Sequence, residues 1–135
     1  MSAYQTQETQ FTDEDCLLKA LADQGYTHVE VHAEPRQLVG YHGDLRSQRA
    51  HVIVRRQYVG RASNDLGFVK SPDGTYRAII SDFDKGRHND AWMLKLTDSY
   101  SEHGVVKQAA RQGLRFLGRK KDAQGQVQLQ FLERG

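Results

Sequence analysis

Short runs in which apolar and polar residues alternate constrain the fold of this chain more than any other feature. The clearest run is Val127, Leu129 and Phe131, which alternate with glutamines. Because neighbouring side chains of a strand point to opposite faces, this period of two predicts a half-buried strand. Two pairs of such runs flank turn residues, at Ser71-Pro72-Asp73-Gly74 and at Asp122-Ala123-Gln124-Gly125. Each pair therefore predicts an antiparallel hairpin.

Helical spacing of apolar residues first appears between Leu17 and Leu21. The residues before it, Thr12-Asp13-Glu14-Asp15, are typical of a helix start, and the Thr12 hydroxyl is the predicted cap. Gly25 follows where a helix would stop, because glycine readily adopts a positive φ.

A second helical region begins at Asn89 or Asp90, either of which is a suitable cap. Apolar residues at helical spacing then continue as far as Gly113, with a polar interruption from Ser101 to Gly104. The pattern predicts two helices here, or one broken helix.

Three further segments complete the predicted fold. Alternation from Val29 to Ala33 predicts a strand that ends at Pro35 or lies at a sheet edge. The β-branched residues from Ala50 to Tyr58 predict another strand, and residues 1–10 are either an edge strand or a frayed tail. We therefore expect a single α+β domain over residues 1–135, a mainly antiparallel sheet of about five to seven strands packed on two or three helices, with its other face open to water.

Composition limits the class of protein. The chain has 135 residues, of which 38% are hydrophobic and 27% charged, as in an ordinary folded domain. No apolar run is long enough to suggest a membrane span, and the polar N-terminus lacks a signal-peptide core, so we expect a cytoplasmic protein without a membrane partner. Cys16 is the single cysteine, which excludes an internal disulfide and a thiolate zinc cluster.

Turn glycines and aromatic residues are arranged as in a known family. These residues are Lys19-Ala20-Leu21, Gly25-Tyr26, Gly40-Tyr41-x-Gly43, Leu66-Gly67-Phe68, Gly74-Thr75-Tyr76, Tyr100, Ala109, Gly113 and Gly125-x-Val127-x-Leu129. In them the chain resembles an uncharacterised domain-of-unknown-function family that includes hypothetical chloroplast reading-frame (Ycf-type) proteins of plastids and cyanobacterial relatives. The resemblance implies a soluble accessory protein whose partner is an ATPase or a ferredoxin-like protein, and it carries across no catalytic residue.

The densest polar segment runs from Ser81 to Asp90. Asp82, Asp84 and His88 offer oxygen and imidazole ligands that suit magnesium, manganese or zinc. The two aspartates would point to the same side of an extended segment. Their spacing matches no established metal motif, and a solvated loop that caps the next helix is the other interpretation.

Arginines form two sets in the sequence, one near residues 46–61 and the other near residues 111–120. If the fold joined the two sets, they would form a phosphate-binding face. The candidate nucleic-acid-binding residues are Arg49, Arg55, Arg56, Arg111 and Arg115, and the candidate base-stacking rings are Tyr41, Tyr58 and Tyr76. An ordinary charged surface is the other interpretation, because the formal net charge is only +2.

No complete catalytic set appears, and residues typical of turns and cores dominate. The leading hypothesis is therefore a non-enzymatic accessory or partner-binding module. A nucleic-acid-binding domain that uses the arginines is the first alternative. A metal-dependent enzyme that uses Asp82, Asp84 and His88 is the second. The sequence identifies no cofactor and no oligomeric state.

Overall fold

A computed structural model describes residues 3–133 and shows seven strands and three helices in the α+β arrangement that the sequence predicts. In chain order the elements are β1 (Tyr4–Glu8), α1 (Glu14–Asp23), β2 (Glu30–Val39), β3 (Leu45–Val54), α2 (Arg56–Val59), β4 (Leu66–Lys70), β5 (Tyr76–Ser81), a 3₁₀ turn (Asp82–Asp84), α3 (Asp90–Arg111), β6 (Leu114–Lys121) and β7 (Val127–Glu133). Between residues 3 and 133, no helix combines the length and the apolar character needed to cross a membrane.

Five of the strands form one antiparallel sheet in the order β1-β5-β4-β3-β2. Strand β1 pairs with β5 at one edge, so the described part of the N-terminal segment is the edge strand rather than a frayed tail; residues 1 and 2 of that prediction lie outside the described residues. Strands β6 and β7 pair only with each other, as a separate two-stranded sheet. The predicted strands therefore divide into a five-stranded sheet and a detached hairpin.

The main core lies between the sheet and the two longer helices. Leu17 and Leu21 of α1, Leu96 of α3, and Val52 and Phe68 of the sheet are all fully buried in this layer. The apolar stripe of α1 follows the helical period, which is why one face of the helix meets the sheet. Burial of these side chains is the main force that holds the two layers together.

The opposite face of the sheet is not open to water, contrary to the sequence-based expectation. Leu38, Ala50, Ile53 and Ile79 are buried there in a second apolar cluster. A Cβ atom added to Gly67 would lie 2.8 Å from the Ala50 Cβ and 3.0 Å from a Leu38 methyl carbon. The glycine thus allows the β2–β3 hairpin to fold back over the sheet.

A large irregularity in β2 accompanies this fold-back. Val31 pairs with Val52, but the next pair joins Arg36 to Ala50, so five residues of β2 span only two of β3. Bulges of this kind bend and twist a strand. Pro35 lies inside this stretch, and β2 is the edge strand of the sheet, which confirms the edge interpretation of that proline.

The start of α1 differs by one residue from the prediction. Asp13, not Thr12, is the cap, and its carboxylate accepts a hydrogen bond of 3.0 Å from the Cys16 amide. Lys107 of α3 contacts the same carboxylate at 2.7 Å. Hydrogen bonds from Lys107 and Cys16 lower the pKa of Asp13 to about 2. The second helix start follows the prediction, with Asn89 as the cap of α3.

Helix α3 is continuous across the predicted interruption. It runs unbroken through Ser101 and Gly104 to Arg111, because Leu96 and Ala109 on either side pack into buried positions. Tertiary packing therefore overrides the low helix propensity of glycine. Gly113 ends the helix with a φ of 81°.

Candidate functional site

The detached hairpin of β6 and β7 concentrates large apolar side chains on an exposed surface. Four such side chains are exposed there, and Leu117 is the most exposed at 54%. Single exposed apolar residues are ordinary, whereas a group on one element marks a contact region. We define the hairpin surface as exposed side chains from both faces of the hairpin. One face carries Phe116, Lys121 and Val127, the other carries Arg115, Lys120 and Leu132, and Leu117 lies at the register shift.

The register of the hairpin explains this exposure. Phe116 lies opposite Phe131 with ring centroids 5.7 Å apart. Strand β6 packs on α3, where Arg119 contacts Glu102 at 2.6 Å. On β7, Leu129 and Phe131 are partly buried, whereas Val127 and Leu132 are exposed. A register shift after Phe116 leaves Leu117 outside the paired positions, which exposes its side chain.

The hairpin is also rich in uncompensated cations. Arg119 has an acidic partner in Glu102. The three other cations of the hairpin form no ion pair with any residue between 3 and 133: Arg115, Lys120 and Lys121. Apolar side chains bordered by free cations are suited to a partner that is apolar at its centre and acidic around it.

Arg55, from the other arginine set, is neutralised by two carboxylates. Its Nε lies 2.9 Å from Glu30 and its Nη1 lies 2.8 Å from Asp65. Hydrogen bonds to Glu30 and then to Asp65 hold the pKa of Arg55 above its usual range. Asp65 is fully buried, and a buried carboxylate without a paired cation would be costly, so the role of Arg55 here is mainly structural.

Asp65 also explains why β3 ends earlier than predicted. Its buried carboxylate accepts backbone hydrogen bonds from Val39 and Arg56, both 2.7 Å long. The second bond turns the chain after Val54 into the short helix α2. The predicted strand from Ala50 to Tyr58 is therefore wrong after Val54.

The candidate nucleic-acid-binding arginines lie on separate elements. Arg49 is exposed on β3, and the Arg56 guanidinium lies 6.0 Å from the Tyr41 ring centroid. Arg111 and Arg115 lie at the end of α3 and the start of β6. Among residues 3–133, no hydrogen bond or ion pair links Arg49, Arg55 or Arg56 to Arg111 or Arg115. The shared interface stays a prediction, and Tyr76 is too deeply buried to stack on a base.

Two of the three candidate metal ligands lie together. Asp84 and His88 are both buried, and the His88 amide donates a 2.7 Å hydrogen bond to the Asp84 carbonyl. The Asp84 carboxylate accepts hydrogen bonds from the Ser81 hydroxyl and the Asn64 amide. Asp82, by contrast, is exposed and pairs with Lys85 at 3.4 Å.

His88 is held as a neutral side chain inside the protein. Its Nε2 lies 2.7 Å from the Tyr26 hydroxyl, and its ring lies 4.4 Å from the Trp92 ring. Burial lowers the pKa of His88 to about 4, against the opposing charge of Asp84. Over residues 3–133, no three His, Cys, Asp or Glu side chains are placed to share a metal ion. The metal hypothesis therefore stays a prediction that rests on Asp84 and His88.

Comparison with protein families agrees with the resemblance seen in the sequence. A family model described as a protein of unknown function, DUF1257, matches residues 20–130. The chain belongs to this family. Comparison with curated proteins and with solved structures gives no significant match. The DUF1257 match confirms membership of an uncharacterised family, whereas the link to chloroplast reading-frame proteins stays a prediction.

Sequence reasoning missed three residues that shape this DUF1257 chain: Asn64, Asp65 and Phe83. Asn64 and Asp65 are a polar pair directly before the buried strand β4. Polar residues at the entrance of a buried strand need partners, and that requirement is the signal that would have identified them. Phe83 is exposed within an otherwise polar segment, which is a second detectable signal.

Proposed function

We propose that this chain is a non-enzymatic accessory protein that binds an acidic partner protein through the hairpin surface. The observation that carries the proposal is the coincidence of exposed apolar side chains and unpaired cations on one detached hairpin. A two-stranded hairpin is marginally stable alone, and here β6 provides the main packing against a helix. A partner laid on the hairpin would supply the missing layer.

The charge of the hairpin surface defines the kind of partner. Arg115, Lys120 and Lys121 would attract an acidic surface and speed its approach, while Leu117 and Leu132 would be buried at the centre of the contact. The family resemblance implies an ATPase or a ferredoxin-like protein in this role. We propose that the relevant member of that pair is the one that presents an acidic patch, and that the two proteins meet in the cytoplasm.

A binding assay with matched variants tests this proposal. The full chain is immobilised and titrated with each of the two candidate partners, a ferredoxin-like protein and an ATPase, at increasing salt. Leu117→Asp is expected to weaken binding tenfold or more, because it places a charge at the centre of the contact. Binding by the unmodified chain is expected to weaken with salt, since it depends on the cations.

The control is Leu94→Asp, which changes an equally exposed leucine of α3 about two turns before Glu102 and away from the hairpin. It is expected to leave binding unchanged. Equal loss in both variants, or binding that ignores salt, would contradict the proposal. Clear catalytic turnover by the isolated chain with no partner bound would also contradict it.

The same experiment separates the nucleic-acid alternative from the protein partner. Oligonucleotides are titrated at low salt against the chain and against the double variant Arg111→Ala with Arg115→Ala. Tight binding of oligonucleotides that this variant abolishes, without binding of either protein, would favour the alternative.

A further inference from the structure

A small slot lies among the loops of the protein, and no residue of the hairpin surface lines it. Its cavity of about 130 Å³ lies between the turn after β2 and the 3₁₀ turn. Tyr41 and Phe83 line it and are 47% and 57% exposed. A cavity of roughly 150 Å³ holds one benzene ring, so the slot has the size of a single planar ring.

Asn64 links the two chain segments that carry these aromatic residues. It is buried at the floor of the slot. Its Oδ1 accepts a 2.8 Å hydrogen bond from the Tyr41 amide, and its own amide donates a 3.1 Å bond to the Asp84 carboxylate, next to Phe83 in the chain. The segments on both sides of the slot are thus hydrogen-bonded to one buried residue, which limits the rearrangement that ligand binding would need.

The floor of the slot offers one donor and one acceptor. Because the Tyr41 amide can only donate, Asn64 must turn its oxygen toward it, and the Asn64 Nδ2 group then has no partner among residues 3–133. The Asp44 side chain lines the slot and is 27% exposed; its Oδ2 atom is buried, 3.8 Å from the Arg46 Nε, so the other carboxylate oxygen is the acceptor that a ligand would reach. The Asn64 amide donor and the Asp44 carboxylate acceptor line the same slot. Together they match a ring edge that carries an acceptor next to an amine.

An arginine lies next to the Tyr41 wall of the slot, although it does not line the cavity itself. The Arg56 guanidinium lies over the Tyr41 ring at 6.0 Å and pairs with no carboxylate between residues 3 and 133. An aromatic wall with a neighbouring arginine is the arrangement that proteins use to stack a base and hold its phosphate.

We propose that the slot binds a nucleobase that presents an exocyclic amine beside a ring-nitrogen acceptor, as adenine and cytosine do. The base stacks against Tyr41 and Phe83, its amine donates to Asp44, and Asn64 donates to its ring nitrogen. Arg56 attracts the attached phosphate. This site goes beyond the proposed docking of a protein, and it uses none of the hairpin residues.

The test is isothermal titration calorimetry of the full chain with ATP, CTP and UTP and with short single strands of A, C or U. Tyr41→Ala and Phe83→Ala are each expected to weaken binding about tenfold or more, whereas Val105→Ala is the control. Val105 is about as exposed as Tyr41 but lies on α3, outside the slot. Saturation by mononucleotides identifies a free nucleotide as the ligand; binding of strands alone identifies an unpaired base in RNA.

Asp44→Asn gives a second readout, because it removes the charge that prefers an amine donor. It is expected to reduce the preference for adenine and cytosine over uracil. Equal affinity of the unmodified chain for all three bases would overturn the assignment of the ring edge. No binding at millimolar nucleotide and low salt, or binding unaffected by both Tyr41→Ala and Phe83→Ala in chains that retain their native circular dichroism, would overturn the site.

Discussion

The five-stranded sheet with its helices and the β6–β7 hairpin are both antiparallel, but they differ in how their side chains are used. Phe68 of the sheet is fully buried beneath α1 and α3, whereas Phe116 of the hairpin is 38% exposed. The sheet has buried apolar clusters on both faces. The hairpin packs on α3 mainly through β6.

This difference shows that alternation alone does not distinguish a strand that is buried in the core from a strand that stays exposed. Val127, Leu129 and Phe131 alternate as clearly as any residues of the chain, yet Val127 is exposed. An alternating strand becomes core only when a second layer covers it. The sheet has that layer within the chain, and we infer that the hairpin obtains it from a partner.

A matched pair of phenylalanine variants gives the largest expected effect. Phe68→Ala should lower the free energy of unfolding by about 3–5 kcal/mol, because it removes a fully buried ring and leaves a cavity. Phe116→Ala should cost about 1 kcal/mol, since the exposed part of its ring gains nothing from folding. Urea denaturation of both variants measures the two costs. Equal costs would break the distinction between core and hairpin.

Local features of the fold were predictable from the sequence. The turn at Ser71–Gly74 and the helix stop at Gly113 depend on residues within a few positions of one another, and both lie where the sequence predicts them. The buried state of Cys16 also follows from its place on the apolar stripe of α1. Such features need no knowledge of the rest of the chain.

Long-range features were not predictable. The fold-back of β2 depends on Gly67, which is far from Leu38 in sequence but directly beneath it in space. The same holds for the candidate sites, because the partners of Arg55 lie 25 and 10 residues away. Composition and spacing identify charged residues, but they do not show which of them are already neutralised.

A pair of glycine variants gives the second-largest expected effect. Gly67→Ala should destabilise the protein by about 2–3 kcal/mol, because the new Cβ would overlap Ala50 and press on Leu38. Gly104→Ala, in open space on α3, should stabilise it by up to about 1 kcal/mol through helix propensity. Thermal or urea unfolding measures both signs. If Gly67→Ala were neutral, the outer layer would be looser than its burial indicates.

Lowering the pH should destabilise the region of the sheet and helices through His88. The hairpin contains no histidine and lacks this effect. The pKa of His88 is about 4 when folded and 6.5 when unfolded, so between these values the unfolded chain binds more protons. The contribution of neutral His88 to the free energy of unfolding is complete above pH 6.5 and is lost as the pH falls toward 4. From pH 7 to pH 5 the loss is about 2 kcal/mol.

His88→Gln provides the control for this acid effect, because glutamine retains a polar partner for Tyr26 but does not titrate in this range. The stability advantage of the unmodified chain over the variant should shrink as pH falls from 7 to 5, measured by urea unfolding at each pH. A constant advantage would mean that His88 is not buried as a neutral group.

The smallest expected effects come from two aspartates, one in each region, whose carboxylates accept hydrogen bonds from backbone amides. Asp13 caps α1, and Asp122 accepts amide hydrogen bonds from Gln124 and Gln126 at the hairpin tip. Asp13→Ala should lower the free energy of unfolding by about 1 kcal/mol, since a helix that packs in the core loses its cap. Thr12→Ala should change the free energy of unfolding by only about a few tenths of a kcal/mol, because Thr12 is not the cap.

Asp122→Ala should leave global unfolding nearly unchanged and instead speed hydrogen exchange of the hairpin amides, because the hairpin can open without the sheet. Urea unfolding and native-state exchange on the same samples separate the two responses. Faster exchange throughout the sheet in Asp122→Ala would show that hairpin and core unfold as one unit. The hairpin would then belong to the folding core, and its exposed apolar residues could not be reserved for a partner.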